Sequence, residues 1–168
     1  MADDEMAEAA RAIAILCNNA ALRRAARRLG QLYDDVLAPS GLRATQHALL
    51  AQIEAMGSAA LGELAEIMVM DASALGHTLR PLTRDGLVSF GVDDRDRRRR
   101  RIVLTEAGKA KLEQSTKLWS EAQARFEHVF GVEKAAALRD VLVDLASPGF
   151  AEAYRMDSAL GEATEAPP

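Results

Sequence analysis

The chain has 168 residues, 49% of them apolar but only 4% aromatic, with 21 Lys plus Arg against 25 Asp plus Glu. This length fits one domain of ordinary size, and many Ala and Leu with few aromatics favour packed helices over a sheet sandwich. No run of about 18 apolar residues is present for a membrane span, the acidic start Met1-Ala2-Asp3-Asp4-Glu5 lacks a signal-peptide layout, and the one cysteine, Cys17, excludes an internal disulfide, so a cytoplasmic protein is expected.

Residues 6–37 read as one long helix, with Ile13, Leu16, Ala20, Leu29, Leu32, Tyr33, Val36 and Leu37 on an apolar stripe. About thirty helical residues span roughly 45 Å. A small domain cannot bury that length alone, so contact with a second subunit is expected. Arg23, Arg24, Arg27 and Arg28 share one side of this helix, as a solvated face or a supplementary phosphate contact. Pro39-Ser40-Gly41 ends it. Thr45 is placed to cap a second helix that carries His47, Leu49, Leu50, Ile53 and Met56 and stops at Gly57. A third begins near Leu61 and carries Leu64, Ala65, Ile67 and Met68. Asp71 caps a fourth from Ala72 to about Asp85, ended by Gly86, whose buried face is Leu75, Leu79 and Leu82. Pro81 inside it frees the His77 carbonyl, and a kink is expected. This pattern is a helix-turn-helix.

Leu87–Val92 reads as a strand, with Arg100–Leu104 as its partner and Ile102 and Leu104 on one face. Between them lies Asp93-Asp94-Arg95-Asp96-Arg97-Arg98-Arg99, continuing into Arg100 and Arg101. The chain is acidic overall, but exposed charges are screened over roughly 8 Å at physiological salt. The local basic stripe therefore decides the partner. Thr105-Glu106 opens a long helix to about His128, with Leu112, Leu118, Trp119 and Phe126. Gly131 breaks it, and residues 132–146 form a last amphipathic helix with Leu138, Val141, Leu142 and Leu145. Beyond Pro148 a short amphipathic piece spans Phe150 to Met156, then an acidic, loose tail.

The fold class expected is mainly α with a small β-hairpin wing: a winged helix-turn-helix domain plus long dimerisation helices. The segments are 1–38 (N-terminal dimerisation helix), 42–104 (winged helix-turn-helix), 105–147 (C-terminal dimerisation helices) and 148–168 (acidic, partly flexible tail). No Ser/His/Asp set, phosphate loop or metal motif is visible, so neither enzymatic activity nor a cofactor or metal is expected.

Three stretches then carry a family resemblance. They are Leu42-Arg43-Ala44-Thr45-Gln46-His47-Ala48-Leu49-Leu50; Leu79-Arg80-Pro81-Leu82-Thr83-Arg84-Asp85-Gly86-Leu87-Val88; and Asp96-Arg97-Arg98 followed by Ile102-Val103-Leu104-Thr105-Glu106-Ala107-Gly108. With the order of elements, over roughly residues 12–147, the chain resembles the MarR family of bacterial transcription regulators. The Asp-x-Arg wing and the Leu-Thr-x-x-Gly exit are the most specific part. The resemblance implies a two-fold dimer held by the first and the two last helices. It implies two recognition helices in successive major grooves of a pseudo-palindromic double-stranded DNA operator, and two wings in the flanking minor grooves. It also implies a repressor, released by a small aromatic or phenolic effector or, in some members, by thiol oxidation.

On that template the recognition helix presents Ser73, Ala74, Gly76, His77 and Arg80 outward. Ser73 and the first N–H groups would hold a phosphate, Ala74 a thymine methyl, His77 and Arg80 a base edge or phosphate. In the wing, Arg98 enters the minor groove, where a narrow groove attracts a guanidinium. Asp96 orients Arg98 by a charge-assisted hydrogen bond, while Arg95 and Arg97 meet phosphates. Family members often carry Arg at the positions of Ala72 or His77, and this chain departs from that. Tyr33, His47 and Trp119 are candidates for an effector pocket, beside the alternative that each is ordinary core. Cys17, taken to lie on the first helix, is the candidate for a redox switch, beside that of a buried structural thiol. The remaining alternative is a winged helix used only for protein contacts.

Overall fold

The structure is a computed structural model and describes residues 2–92 and 100–164. In chain order it contains α1 (Ala2–Leu16), α2 (Asn18–Leu37), a 3-10 turn (Ala38–Ser40), α3 (Ala44–Met56), β1 (Ala59–Ala60), α4 (Leu61–Ile67) and α5 (Ala72–Arg84). There follow β2 (Val88–Val92), β3 (Arg100–Leu104), α6 (Glu106–Phe130), α7 (Val132–Leu145) and α8 (Pro148–Thr164). Two compact units result, residues 1–122 and 123–168. This is the winged-helix architecture expected, mainly helical with a small antiparallel sheet.

The first unit owns the core. Leu49, Leu50 and Ile53 of α3, Leu64 of α4, Leu75, Leu79 and Leu82 of α5 and Ile102 of β3 are essentially solvent-free, and Leu87, Val88 and Leu104 join them. Burying each such side chain contributes about 1.5–3 kcal/mol, which offsets the entropy of ordering three short helices that would not hold alone. The sheet runs β1-β3-β2. β2 pairs with β3 in the register Val88↔Leu104, Phe90↔Ile102 and Val92↔Arg100, which sends Val88, Ile102 and Leu104 into the core.

The long helix expected over 6–37 is broken. Cys17 has an extended backbone (φ −72°, ψ 107°) and acts as the N-cap of α2, its Sγ accepting the Ala20 N–H at 3.4 Å. Cys17-Asn18-Asn19 puts three weak helix formers in succession, and Asn and Cys side chains offer the backbone competing bonds. The N–H of Cys17 still donates to the Ile13 carbonyl at 3.2 Å, so the break is one residue wide. No described residue from 5 to 36 is buried within the chain.

Four further expectations are corrected. Arg43, not Thr45, precedes α3, and the Gln46 side chain accepts the Arg43 N–H at 2.9 Å while the first helical N–H, Ala44, donates to Asp34 Oδ1 at 2.7 Å. A carboxylate ten residues upstream has taken the capping task that a local hydroxyl would have done. β1 was not legible: two alanines have no periodicity, and it is a strand only because β3 offers a second edge at Ile102 and Arg101. The loose tail expected after Met156 is helical to Thr164, as Ser147 Oγ accepts the Phe150 N–H at 3.1 Å and Pro148 opens the first turn. Cys17, assigned to a helix, sits at a helix break.

The second unit has almost no core of its own. Ala135 is its one buried hydrophobic among the described residues, while Val129, Val132, Val141, Val143, Tyr154 and Met156 are more than half exposed. The Gln123 amide and the Arg139 guanidinium both donate to Glu127 Oε1, at 2.8 and 3.4 Å, and Phe126 stacks near Phe130.

Candidate nucleic-acid interface

Asp71 starts α5, the helix expected to read DNA: its Oδ1 accepts the Ala74 N–H at 2.7 Å, and its backbone is extended. From that start the 3.6-residue period places Leu75, Leu79 and Leu82 inward. Ser73, His77 and Arg80 are exposed along the opposite side, and Ala74 and Gly76 are half-buried at its margins. The structure therefore brings three of the five proposed reading residues onto one open face and leaves two flanking it. The turn before Asp71 contains Val69 with φ +50°, a left-handed residue that closes α4 with Val69 N–H to Glu66 O and Met70 N–H to Ala65 O.

The helix runs through Pro81 to Arg84. Its far end is closed by a Schellman arrangement with Gly86 at φ +70°: Gly86 N–H donates to Thr83 O at 3.0 Å and Leu87 N–H to Leu82 O at 2.9 Å. Gly86 is needed there because L side chains rarely adopt that conformation.

A corner ties this helix end to the hairpin. Thr105 Oγ1 donates to Gly86 O at 2.6 Å and accepts the Gly108 N–H at 3.0 Å, and Thr105 N–H donates to Leu87 O at 3.1 Å. Gly108 is where α6 presses on Leu87, just before β2: a Cβ there would collide with the Leu87 carbonyl oxygen. The Leu-Thr-x-x-Gly exit is thus a physical lock, a cap plus a close approach, that orients the hairpin against α5. Arg101 does not face outward freely; its Nη1 donates to the Ser58 carbonyl at 3.1 Å, pinning β3 to the β1 turn. Arg95, Asp96, Arg97, Arg98 and Arg99 lie outside the described residues.

In the same unit a cavity of about 560 Å³ is lined by Tyr33, Ala44, His47, Ala48, Ala51, Gln52, Thr116 and Trp119. The three residues proposed from sequence meet there. The His47 and Trp119 rings stack at 6.1 Å with 23° between planes. His47 is buried, its Nδ1 is 2.8 Å from Ser115 Oγ, and Ser115 Oγ in turn donates to Leu112 O at 3.0 Å. Burial pushes the His47 pKa below its ordinary 6.5, because an imidazolium would lose its hydration there. Ser115, Thr116 and Gln52 were not singled out from sequence. Ser115 and Thr116 stand four and three residues before Trp119, on its helix face. Ala44, Ala48 and Ala51 recur at helical spacing and leave the space open. That alternation of small residues around His47 was the readable sign.

Arg23, Arg24, Arg27 and Arg28 are all exposed on α2, and Arg24 Nη2 donates to the Ala14 carbonyl at 3.2 Å, reaching back across the Cys17 break. Cys17 itself is half-buried. Among the described residues no group of three His, Cys, Asp or Glu is placed to hold a metal ion, and no helix is long and apolar enough to cross a membrane.

The family model for MarR matches residues 42–99, from the loop before α3 to the wing. No curated protein matches the chain significantly. Among solved structures the M. tuberculosis transcriptional regulator MosR, in complex with DNA, is 37% identical, with 83% of this chain and 98% of that chain covered at a TM-score of 0.72. A probable transcriptional regulator from Pseudomonas aeruginosa is 27% identical, with coverages of 76% and 95% and a TM-score of 0.68. A mutant of MarR from E. coli complexed with operator DNA shares the fold at 21% identity, with coverages of 80% and 96% and a TM-score of 0.71. With the capped α5 helix, the Thr-Gly corner and a relative this similar over nearly its whole length, the chain is a member of the MarR family of transcriptional regulators.

Proposed function

We propose that the chain is a sequence-specific DNA-binding regulator that acts as a homodimer and represses by occupying a pseudo-palindromic operator. The carrying observation is the open Ser73–His77–Arg80 face of α5, locked by the Thr105–Gly108 corner to a hairpin whose tip is rich in arginine. The family's DNA complexes support this reading, MosR first among them. Pairing of two copies is supported by the exposed Ile13, Ile15 and Leu16 of α1 and, separately, by the nearly coreless second unit. Isolated helices with such faces are marginal in water.

In this reading Ser73, His77 and Arg80 contact the major groove, with Ala74 and Gly76 allowing close approach. Arg98 enters the minor groove, oriented by Asp96, and Arg95 and Arg97 neutralise phosphates. Arg98→Ala tests it. Gel-shift titration should show operator affinity reduced tenfold or more, since an inserted or bidentate arginine is worth about 1–3 kcal/mol, with the urea midpoint unchanged. Unchanged affinity removes the wing from the mechanism.

Release by a small aromatic effector in the Tyr33–His47–Trp119 cavity completes the proposal. Its volume falls in the range of small-molecule sites, and it is mostly apolar with a few polar groups. It is bounded by α3, the helix that packs beneath the reading unit, and by α6, which carries the corner. A second reading, oxidation sensing, is favoured by one observation: Cys17 Sγ is the cap of α2, so oxidising it would add oxygen and bulk at the helix start and replace the weak sulfur acceptor there. A Cys17→Ser protein that still releases DNA on peroxide treatment eliminates that reading.

A further inference from the structure

We infer that the Tyr33–His47–Trp119 cavity selects an uncharged aromatic hydroxyl compound and rejects the matching carboxylate, with His47 as the residue that decides. This rests on the reading of the cavity as the effector site. None of the residues lining it carries a positive charge. A carboxylate entering it would give up hydration with no cation to meet it, and uncompensated charge in such a place is strongly disfavoured.

The positive N-terminus of α3 at Ala44, a substitute for a cation, is already used. Its first N–H donates to Asp34 Oδ1 at 2.7 Å, so an anion is in place beside that end of the cavity. A second anion would meet repulsion there.

His47 supplies the positive side of the selection. Its Nδ1 pairs with Ser115 Oγ. Among the described residues no hydrogen bond is made at Nε2 and no fully buried side-chain nitrogen or oxygen lacks a partner, so Nε2 is not sealed off, and His47 lines the cavity. The Ser115 hydroxyl has one hydrogen and donates it to the Leu112 carbonyl, so it accepts from Nδ1–H and the neutral ring presents Nε2 as an acceptor. A ligand hydroxyl satisfies Nε2 by donating to it. A carboxylate has no proton to donate and brings its charge besides. Trp119, stacked near His47, offers the apolar face for the ring.

The test compares 4-methylphenol with 4-methylbenzoate at pH 7, on the full-length protein without DNA. Binding is read by calorimetry and by quenching of Trp119, the one tryptophan of the chain. The phenol is expected to bind at least about tenfold more tightly. In His47→Phe the phenol should lose roughly tenfold and bind no better than toluene. Gln52→Arg places a cation in the same cavity and should raise 4-methylbenzoate affinity tenfold or more, a gain that a misfolded variant cannot produce. Equal or tighter binding of the carboxylate to the wild type overturns the inference while leaving the effector site standing. If no aromatic probe binds and Trp119 is unquenched, the effector-site reading itself fails, and the inference with it.

Discussion

Gly108 and Thr105 do the most with the fewest atoms. Thr105 donates to the Gly86 carbonyl just past α5, and Gly108 lets the next helix come within reach of Leu87. Because the neighbour is backbone and not a flexible side chain, it cannot move aside cheaply. Gly108→Ala is expected to cost about 3 kcal/mol of stability, measured by urea unfolding. Gly62→Ala in α4, where an added Cβ meets nothing within 4 Å, should be neutral or slightly stabilising. An equal response of the two variants would show that the corner is not tightly packed. The role of residues 104–108 was legible, since Leu-Thr-x-x-Gly combines an apolar anchor, a cap and a glycine. Val69 was not: nothing in a β-branched residue announces a left-handed turn, which its neighbours impose by closing α4.

Among the elements, α3 and α6 meet through a polar contact inside an otherwise apolar packing, His47 with Ser115. The pH consequence has a definite sign. Burial lowers the folded-state pKa of His47 below 6.5, so between those two values the unfolded chain binds more protons. Its contribution is therefore fully present above pH about 6.5 and falls as pH drops toward the lower folded value, levelling off beneath it. Urea midpoints of wild type and His47→Phe, followed from pH 7.5 to 5, should diverge in slope, with the wild type losing more on acidification. Parallel curves would mean that His47 titrates as freely in the folded protein as in the unfolded one. The break between α1 and α2 belongs to this scale as well. Periodicity extends smoothly through Cys17, so an apolar stripe alone reads as one helix, while the capping geometry that interrupts it is a property of backbone angles.

For the whole molecule, charge is distributed against its average. A chain with net charge −4 concentrates six arginines between 95 and 101. If these grip phosphates, binding releases counterions, and operator affinity should fall by on the order of a hundredfold or more between 50 and 200 mM salt. Filter binding across that range checks it; a flat response would leave the acidic balance, and not the arginine stripe, in control of the encounter.

Sequence alone determined the order from the helix-turn-helix through the hairpin to the long helices after it, the inward leucines of α5 and the register-setting alternation of β3, and its motifs pointed to the family by resemblance. The elements follow from local physics: helical and strand periods, caps and turn glycines. The third strand, the Asp34 cap of α3 and the gathering of Tyr33, His47 and Trp119 around one cavity were decided only by tertiary structure. Each depends on groups far apart in the chain finding unmet hydrogen bonds or unfilled space in one another, and distance in sequence carries no record of that meeting.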